Sequence, residues 1–287
     1  MTVHRFAHEA MATVFEVRCH HPDAGYAGQA ASAAFDLVDR LEQDLSRFVA
    51  NSDVSRINHL PAGGSARVSP STMECLEAAY RLYDLTGGAF DVSLGSGLDH
   101  LELDPDGLAV HLRKGGVSLD LGGIGKGYAV DRMVELLEEW GVDRALVHGG
   151  FSSVRALEPP AGRDGWPLTL SAPGPGEARV LARVSACRRA FSASGTQKGD
   201  HILDPRRGRP APGRVTWVAV PFLGPGASPA TLAEGLSTAF MVLPIQEIEE
   251  LCRHCPGIEA WLVPEPPAAG GPAPSLLRFT GSGPVVG

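Results

Sequence analysis

Lys126 stands among Gly122, Gly123, Gly125 and Gly127, directly after the apolar run SLDL at residues 118–121. The residues that follow, through Glu139, repeat their apolar positions with the period of a helix. Glycines at such a junction let the backbone turn tightly and approach a ligand closely. The amides that open the helix lack intrahelical partners and attract an anion, and Lys126 adds a full positive charge there. The spacing is neither a Walker loop, since no Ser or Thr follows the lysine, nor the G-x-G-x-x-G dinucleotide fingerprint. On the residues alone this is an anion subsite at a helix start, with a plain flexible turn as the alternative.

Other polar positions have the types that chemistry needs. Asp91 closes a tight turn, GGAFD, next to Phe90, and its carboxylate suits an amine or a ribose hydroxyl; a helix stop with a structural Asp is the competing reading. Asp120 lies between Leu119 and Leu121 and needs a partner if buried. His201, just before the turn residues Asp204, Pro205 and Gly208, is the histidine best placed as a base or phosphate contact. Glu234 and Thr238 are four apart on an expected helix, so their oxygens share a face and suit a hard cation completed by phosphate oxygens. Cys252 and Cys255 have metal-ligand spacing without a second pair nearby.

The elements that must carry these residues follow from the pattern. Strands are expected at residues 12–19, 108–112, 116–121, 144–147, 215–220 and 257–263. Helices are expected at 28–48, from Pro70 to 85, and at 128–140, 228–243 and 245–252. Residues 152–191 alternate strand-like runs with Pro/Gly turns, as in an antiparallel meander. Strands and helices do not alternate regularly, which predicts an α+β architecture. A single domain is expected over residues 1–263, followed by a Pro/Gly-rich tail at 264–287 whose first part, to Pro274, is expected to be mobile. With 287 residues and 44% hydrophobic content the chain can bury a full core. A net charge of -8 argues against nucleic acid as a partner. The five cysteines are scattered, no apolar run reaches membrane length, and no signal peptide is apparent, so a cytoplasmic, reduced protein is expected.

Singly these signals are unspecific, but their order and wording resemble one family. The segments MAT (from Met11), SRF (Ser46–Phe48), SDVS (52–55) with Asn58, TGGAFD (86–91), residues 120–131, HGG (148–150), Ser194 with Gly195, residues 201–208 and 234–239 look like the successive blocks of ApbE-like flavin transferases. The resemblance covers residues 11 to about 245. It implies a T-fold-like, two-lobed α+β arrangement of mainly antiparallel sheet with packed helices and a ligand cleft between lobes. It also implies transfer of FMN from FAD to a Thr or Ser of an acceptor flavoprotein, at an Asp-Gly-Ala-Thr-like site, with AMP released.

On this resemblance Met11, Phe48, Ala89, Phe90 and Asp91 would surround the adenosine end of FAD. Asp120 and Lys126 would meet ribose and phosphate, with His201 and Ile202 near the pyrophosphate. Mg2+ would be held by the Gly123 backbone oxygen, Glu234, Thr238 and Ser237. Lys126 and His201 would serve catalysis. The chain departs from the family pattern at Glu234, where Asp is usual, at Phe151, and at Thr196. Two alternatives therefore stay open: a FAD-binding protein of this fold with weakened catalysis, and a FAD pyrophosphatase yielding FMN and AMP. A monomer or weak dimer is expected.

Overall fold

The computed structural model describes residues 2–172, 179–195, 202–224, 226–265, 275–281 and 283–286. The chain opens with β1 (Val3–Ala10), β2 (Thr13–His20), α1 (Ala24–Leu45), α2 (Asp53–Asn58), β3 (Ser65–Arg67) and α3 (Pro70–Leu85). Next come β4 (Leu101–Asp104), β5 (Ala109–Leu112), α4 (Gly125–Glu139), β6 (Ala145–Gly149), β7 (Ser153–Ala156), β8 (Trp166–Ala172) and β9 (Arg179–Ala186). The last third holds β10 (Arg189–Gly195), β11 (Leu203–Asp204), β12 (Arg209–Pro210) and β13 (Val215–Pro221). It ends with α5 (Pro229–Ala239), α6 (Ile245–His254), β14 (Glu259–Val263), β15 (Leu277–Thr280) and β16 (Gly283–Val286). This is the expected α+β class.

A nine-stranded antiparallel sheet, ordered β1-β2-β6-β7-β10-β13-β14-β15-β16, divides the molecule. Its strands alternate in the way a sheet buried on both faces requires. Val218, Val220, Ala260 and Leu262 face a core shared with α1, α4 and α5. Trp217, Ala219, Trp261 and Val263 face the β8–β9 hairpin, with Trp166 and Leu170 completing a second core. A small sheet, β3-β5-β4, stands beside α2 and α3.

Side chains cap the starts of α1, α2 and α3. Ser69 accepts from the Thr72 amide ahead of Pro70, and Asp23 and Ser52 do the same for α1 and α2. Three expectations differ from the structure. β1 escapes the pattern because it is a sheet edge rich in His, Arg and Glu, which hides its alternation. Residues 116–121 form no strand: Leu119 pairs with the Asn58 side chain, and the Asp120 amide with the Val92 carbonyl, instead of with a neighbouring strand. Part of the tail joins the sheet, since Ala260, Trp261 and Leu262 pair with β15. Residues 266–274, expected to be mobile, lie outside the described residues.

Candidate active site at the start of α4

Glu234, on α5, is the buried carboxylate around which the site is built; its side chain is 5% exposed. Lys126 Nζ donates to its Oε1, and the Gly127 amide donates to its Oε2. The first turn of α4 therefore hands one of its unpaired amides to a carboxylate from another helix, which the helix dipole favours. Lys126 also reaches the Gly122 carbonyl at 3.3 Å and keeps 25% of its side chain exposed. One point thus carries a partly exposed ammonium, a helix N-terminus and a buried carboxylate.

Hydroxyls cluster against the same stretch of α5. Thr238 and Ser237 each donate to the Glu234 carbonyl at 3.0 Å, so each keeps oxygen lone pairs for another partner. Ser194, on β10, lies 2.9 Å from the Ser237 hydroxyl and 3.5 Å from that of Thr238. Gly123 faces this group: a Cβ on it would stand 3.7 Å from Thr238 Oγ1 and 3.3 Å from the Phe90 ring. Gly123, the two hydroxyls and the main chain of Glu234 are thus neighbours.

Two features lock α4 against α5. A Cβ at Gly127 would come within 2.3 Å of the Ala230 carbonyl oxygen, so the helices cross too closely there for any side chain. Asp131, fully buried, accepts from the Ala230 amide at 3.1 Å and from the Thr231 amide and hydroxyl at 2.8 and 2.7 Å. It also pairs with buried Arg155 at 2.9 Å. Burial pushes the Asp131 carboxyl up, against the pull of Arg155 and of these donors. The sequence signal existed: Asp131 breaks the apolar stripe of α4 formed by Val130, Val134 and Leu137.

Asp120 accepts from the Gly122 amide at 2.8 Å and pairs with Arg47 at 3.1 Å. The Arg47 guanidinium lies 4.5 Å from the ring centre of Phe48, which is 81% exposed. Phe48, Asp120 and Lys126 are thereby joined through Arg47 and Gly122; the sequence reading did not single out Arg47. Asp91 is committed to its own turn, accepting from the Ser93 and Gly95 amides at 2.7 and 2.9 Å. Ala89 and Phe90 are buried, and Val92 accepts from the Asp120 amide, which ties this turn to the site. Ile202 is half-buried and accepts from the Ala211 amide.

Met11 is held by another part of the fold, the β1–β2 turn, where it and Ala12 have φ of 50° and 54°. Such a pair of left-handed residues suits a tight hairpin but usually needs Gly or Asn, so some strain is stored there. The Gly150 amide donates to Val14 just beyond, setting the exposed Phe151 beside this hairpin. His201 and Thr196 lie outside the described residues.

Among the described residues no three His, Cys, Asp or Glu side chains gather as a metal site. A cation at Glu234 would have one carboxylate, hydroxyl and backbone oxygens, and whatever a ligand supplied. That donor set fits Mg2+, which favours few carboxylates plus substrate phosphates. Cys252 is buried on the apolar side of α6, and burial pushes its thiol up to about 12. A groove of about 350 Å³ between α3 and α4, lined by Glu74, Arg81, Tyr128 and Arg132, shares no residue with this site. No helix among the described residues is long and apolar enough to cross a membrane.

Comparison with known proteins gives one answer. A model of the ApbE family matches residues 11–108 and 96–262. The FAD:protein FMN transferase of Salmonella typhimurium is 26% identical over 288 residues, covering 86% of this chain and 80% of that protein. The protein of the same name from Treponema pallidum is 29% identical, covering 82% and 76%. The solved structure of Pseudomonas stutzeri flavinyl transferase ApbE superposes with a TM-score of 0.81 at 25% identity, over 98% of this chain and 95% of that one. Flavin transferase ApbE from Vibrio cholerae gives the same TM-score at 19% identity, covering 98% of both chains, a likeness of fold.

Proposed function

The chain belongs to the ApbE family, and from that premise we propose that it moves the FMN half of FAD onto a Thr or Ser hydroxyl of an acceptor protein, releasing AMP. The relatives named FAD:protein FMN transferase place it among transferases. The observation that carries the finer reading is the meeting of Lys126, the α4 N-terminus and Glu234 at one point. A diphosphate needs positive charge and free amides, and a cation that neutralises it needs a carboxylate with hydroxyls nearby.

In this reading Lys126 and the α4 amides take the diphosphate. Phe48, with Arg47 and Asp120, receives the adenosine end, together with Met11 and the turn from Ala89 to Asp91. Ile202 lines the pyrophosphate side. Glu234, Thr238, Ser237 and the Gly123 carbonyl would hold Mg2+, which when bound withdraws charge from the splitting diphosphate. The acceptor hydroxyl attacks the phosphorus on the FMN side and AMP departs. His201 is the proposed base for that hydroxyl. A second reading, FAD binding with slow or absent turnover, is favoured by the engagement of both Glu234 oxygens with protein donors.

Incubation with FAD and Mg2+, with and without EDTA, decides between them when AMP release is followed. One arm contains a peptide with an Asp-Gly-Ala-Thr segment. Mg2+-dependent AMP with covalent flavin on the peptide is expected. AMP without peptide labelling makes the protein a pyrophosphatase, and saturable FAD binding without AMP makes it a flavin-binding protein.

A further inference from the structure

We infer that Lys126 gates the cation subsite: its ammonium holds Glu234 until a diphosphate draws it away, so the divalent cation binds tightly only once FAD is in place. The inference rests on the FAD and Mg2+ reading above and adds an order of binding to it.

The two oxygens of Glu234 are held by very different donors. Oε2 takes the Gly127 amide, a backbone group at a point where α4 and α5 are in contact, and that donor has nowhere to go. Oε1 takes Lys126 Nζ, at the end of a flexible four-carbon arm that is a quarter exposed. Among the described residues the other partner of that ammonium is the Gly122 carbonyl at 3.3 Å, a neutral acceptor at long range. Oε1 is thus the oxygen that can be freed, and Lys126 the group that must move to free it.

A cation seeking that carboxylate first meets the ammonium, and like charges in a largely buried place repel strongly. Lys126 and the metal are alternatives for one oxygen. A diphosphate at the α4 N-terminus changes the balance, because an ammonium bonds a phosphate oxygen far better than a neutral carbonyl. Once Lys126 turns to it, Glu234 is left as a buried carboxylate short of a counter-charge, which a protein does not tolerate without a new cation. The metal supplies it. Coupling of this kind is reciprocal, so the cation strengthens FAD binding by the same factor.

A metal that contacted phosphate directly would also couple the two ligands, so the discriminating measurement is made without FAD. Mn2+ replaces Mg2+, and free Mn2+ is read by electron paramagnetic resonance during titration of the full chain. For the wild type, saturating FAD should tighten Mn2+ binding about tenfold or more. Lys126→Met, with no ammonium to displace, should bind Mn2+ about tenfold more tightly than wild type when FAD is absent, and should gain less from FAD. Lys126→Gln serves the same test if the Met variant melts early. Lys126→Arg keeps a cation on Glu234 and should stay as weak as wild type without FAD.

If neither neutral variant binds Mn2+ more tightly than wild type in the absence of FAD, the gate is overturned. FAD binding and Mg2+-dependent AMP release by the wild type would then leave the functional reading standing. If the wild type binds no FAD, both fall.

Discussion

Asn58 pairs with the backbone of Leu119 through both atoms of its carboxamide, donating to the carbonyl at 3.0 Å and accepting from the amide at 2.7 Å. A side chain at the end of α2 thus does for residue 119 what a neighbouring strand would do, and it holds the backbone one residue ahead of Asp120. Leu119 is fully buried, so its backbone groups have no water to fall back on.

Asn58→Ala should therefore cost about 2–3 kcal/mol, since it leaves a buried N–H and C=O unpaired. Asn58→Asp can still accept but not donate, and should lose the bond to the Leu119 carbonyl alone. Urea unfolding checks the stability. FAD titration checks whether Asp120 drifts, which should appear as weaker binding in both variants.

The Gly127→Ala substitution tests the crossing of α4 and α5. Helix propensity alone would favour Ala by about 1 kcal/mol. The new Cβ, however, would meet the backbone of Ala230 at 2.3 Å, and backbone cannot swing aside. A net loss of about 1–3 kcal/mol is expected, with Glu234 displaced from the amide it accepts. Gly235→Ala, whose Cβ would meet only the side-chain tip of Leu82, should cost less in the same melts.

Asp131→Asn should be among the most damaging single changes, at about 3–5 kcal/mol, because it strands the buried Arg155 guanidinium. Adding Arg155→Met should recover part of that loss. A thermal-melt double-mutant cycle reads the coupling, and simple additivity would refute the pairing.

Glu16 makes the pH dependence. Burial pushes its carboxyl up, but hydrogen bonds from Arg18, Arg5 and His148 outweigh burial and hold it below the ordinary 4.5. The unfolded chain then binds the proton more readily than the folded one, so stability rises with pH across this range. The contribution is complete above the unfolded value near 4.5 and is lost as pH falls through the lower folded value. Glu16→Gln should lower stability by about 1–3 kcal/mol at pH 7. It should also flatten the acid limb of a stability–pH curve. An unchanged limb would remove Glu16 from the account.

Much of this was legible in the chain because the relevant signals are local. Ser69 before Pro70 announces the start of α3, and the period of residues 128–140 announces α4, since capping and amphipathic spacing act within a few turns. The pairing of Glu234 with Thr238 on one helix face and the placing of Lys126 at a helix start are of the same local kind. β1 and the strands after residue 276 were not legible. An edge strand buries too little to show an alternation, and its pairing is settled by a neighbour elsewhere in sequence.

The sequence by itself determined the α+β class, the main helices, the anion-seeking start of α4 and the motif order that marks the family. Each depends on residues a few positions apart or on a pattern read in a line. Tertiary structure alone decided that Lys126 would be spent on Glu234, 108 positions away. It alone turned Asn58 into a substitute strand for Leu119 and made Asp131 the anchor of α5. It gave Asp91 to its own turn and set Arg47 between Phe48 and Asp120. The physical reason is the same in each case. A charged or amide side chain takes whatever partner the fold brings within about 3 Å, and linear spacing does not encode that meeting.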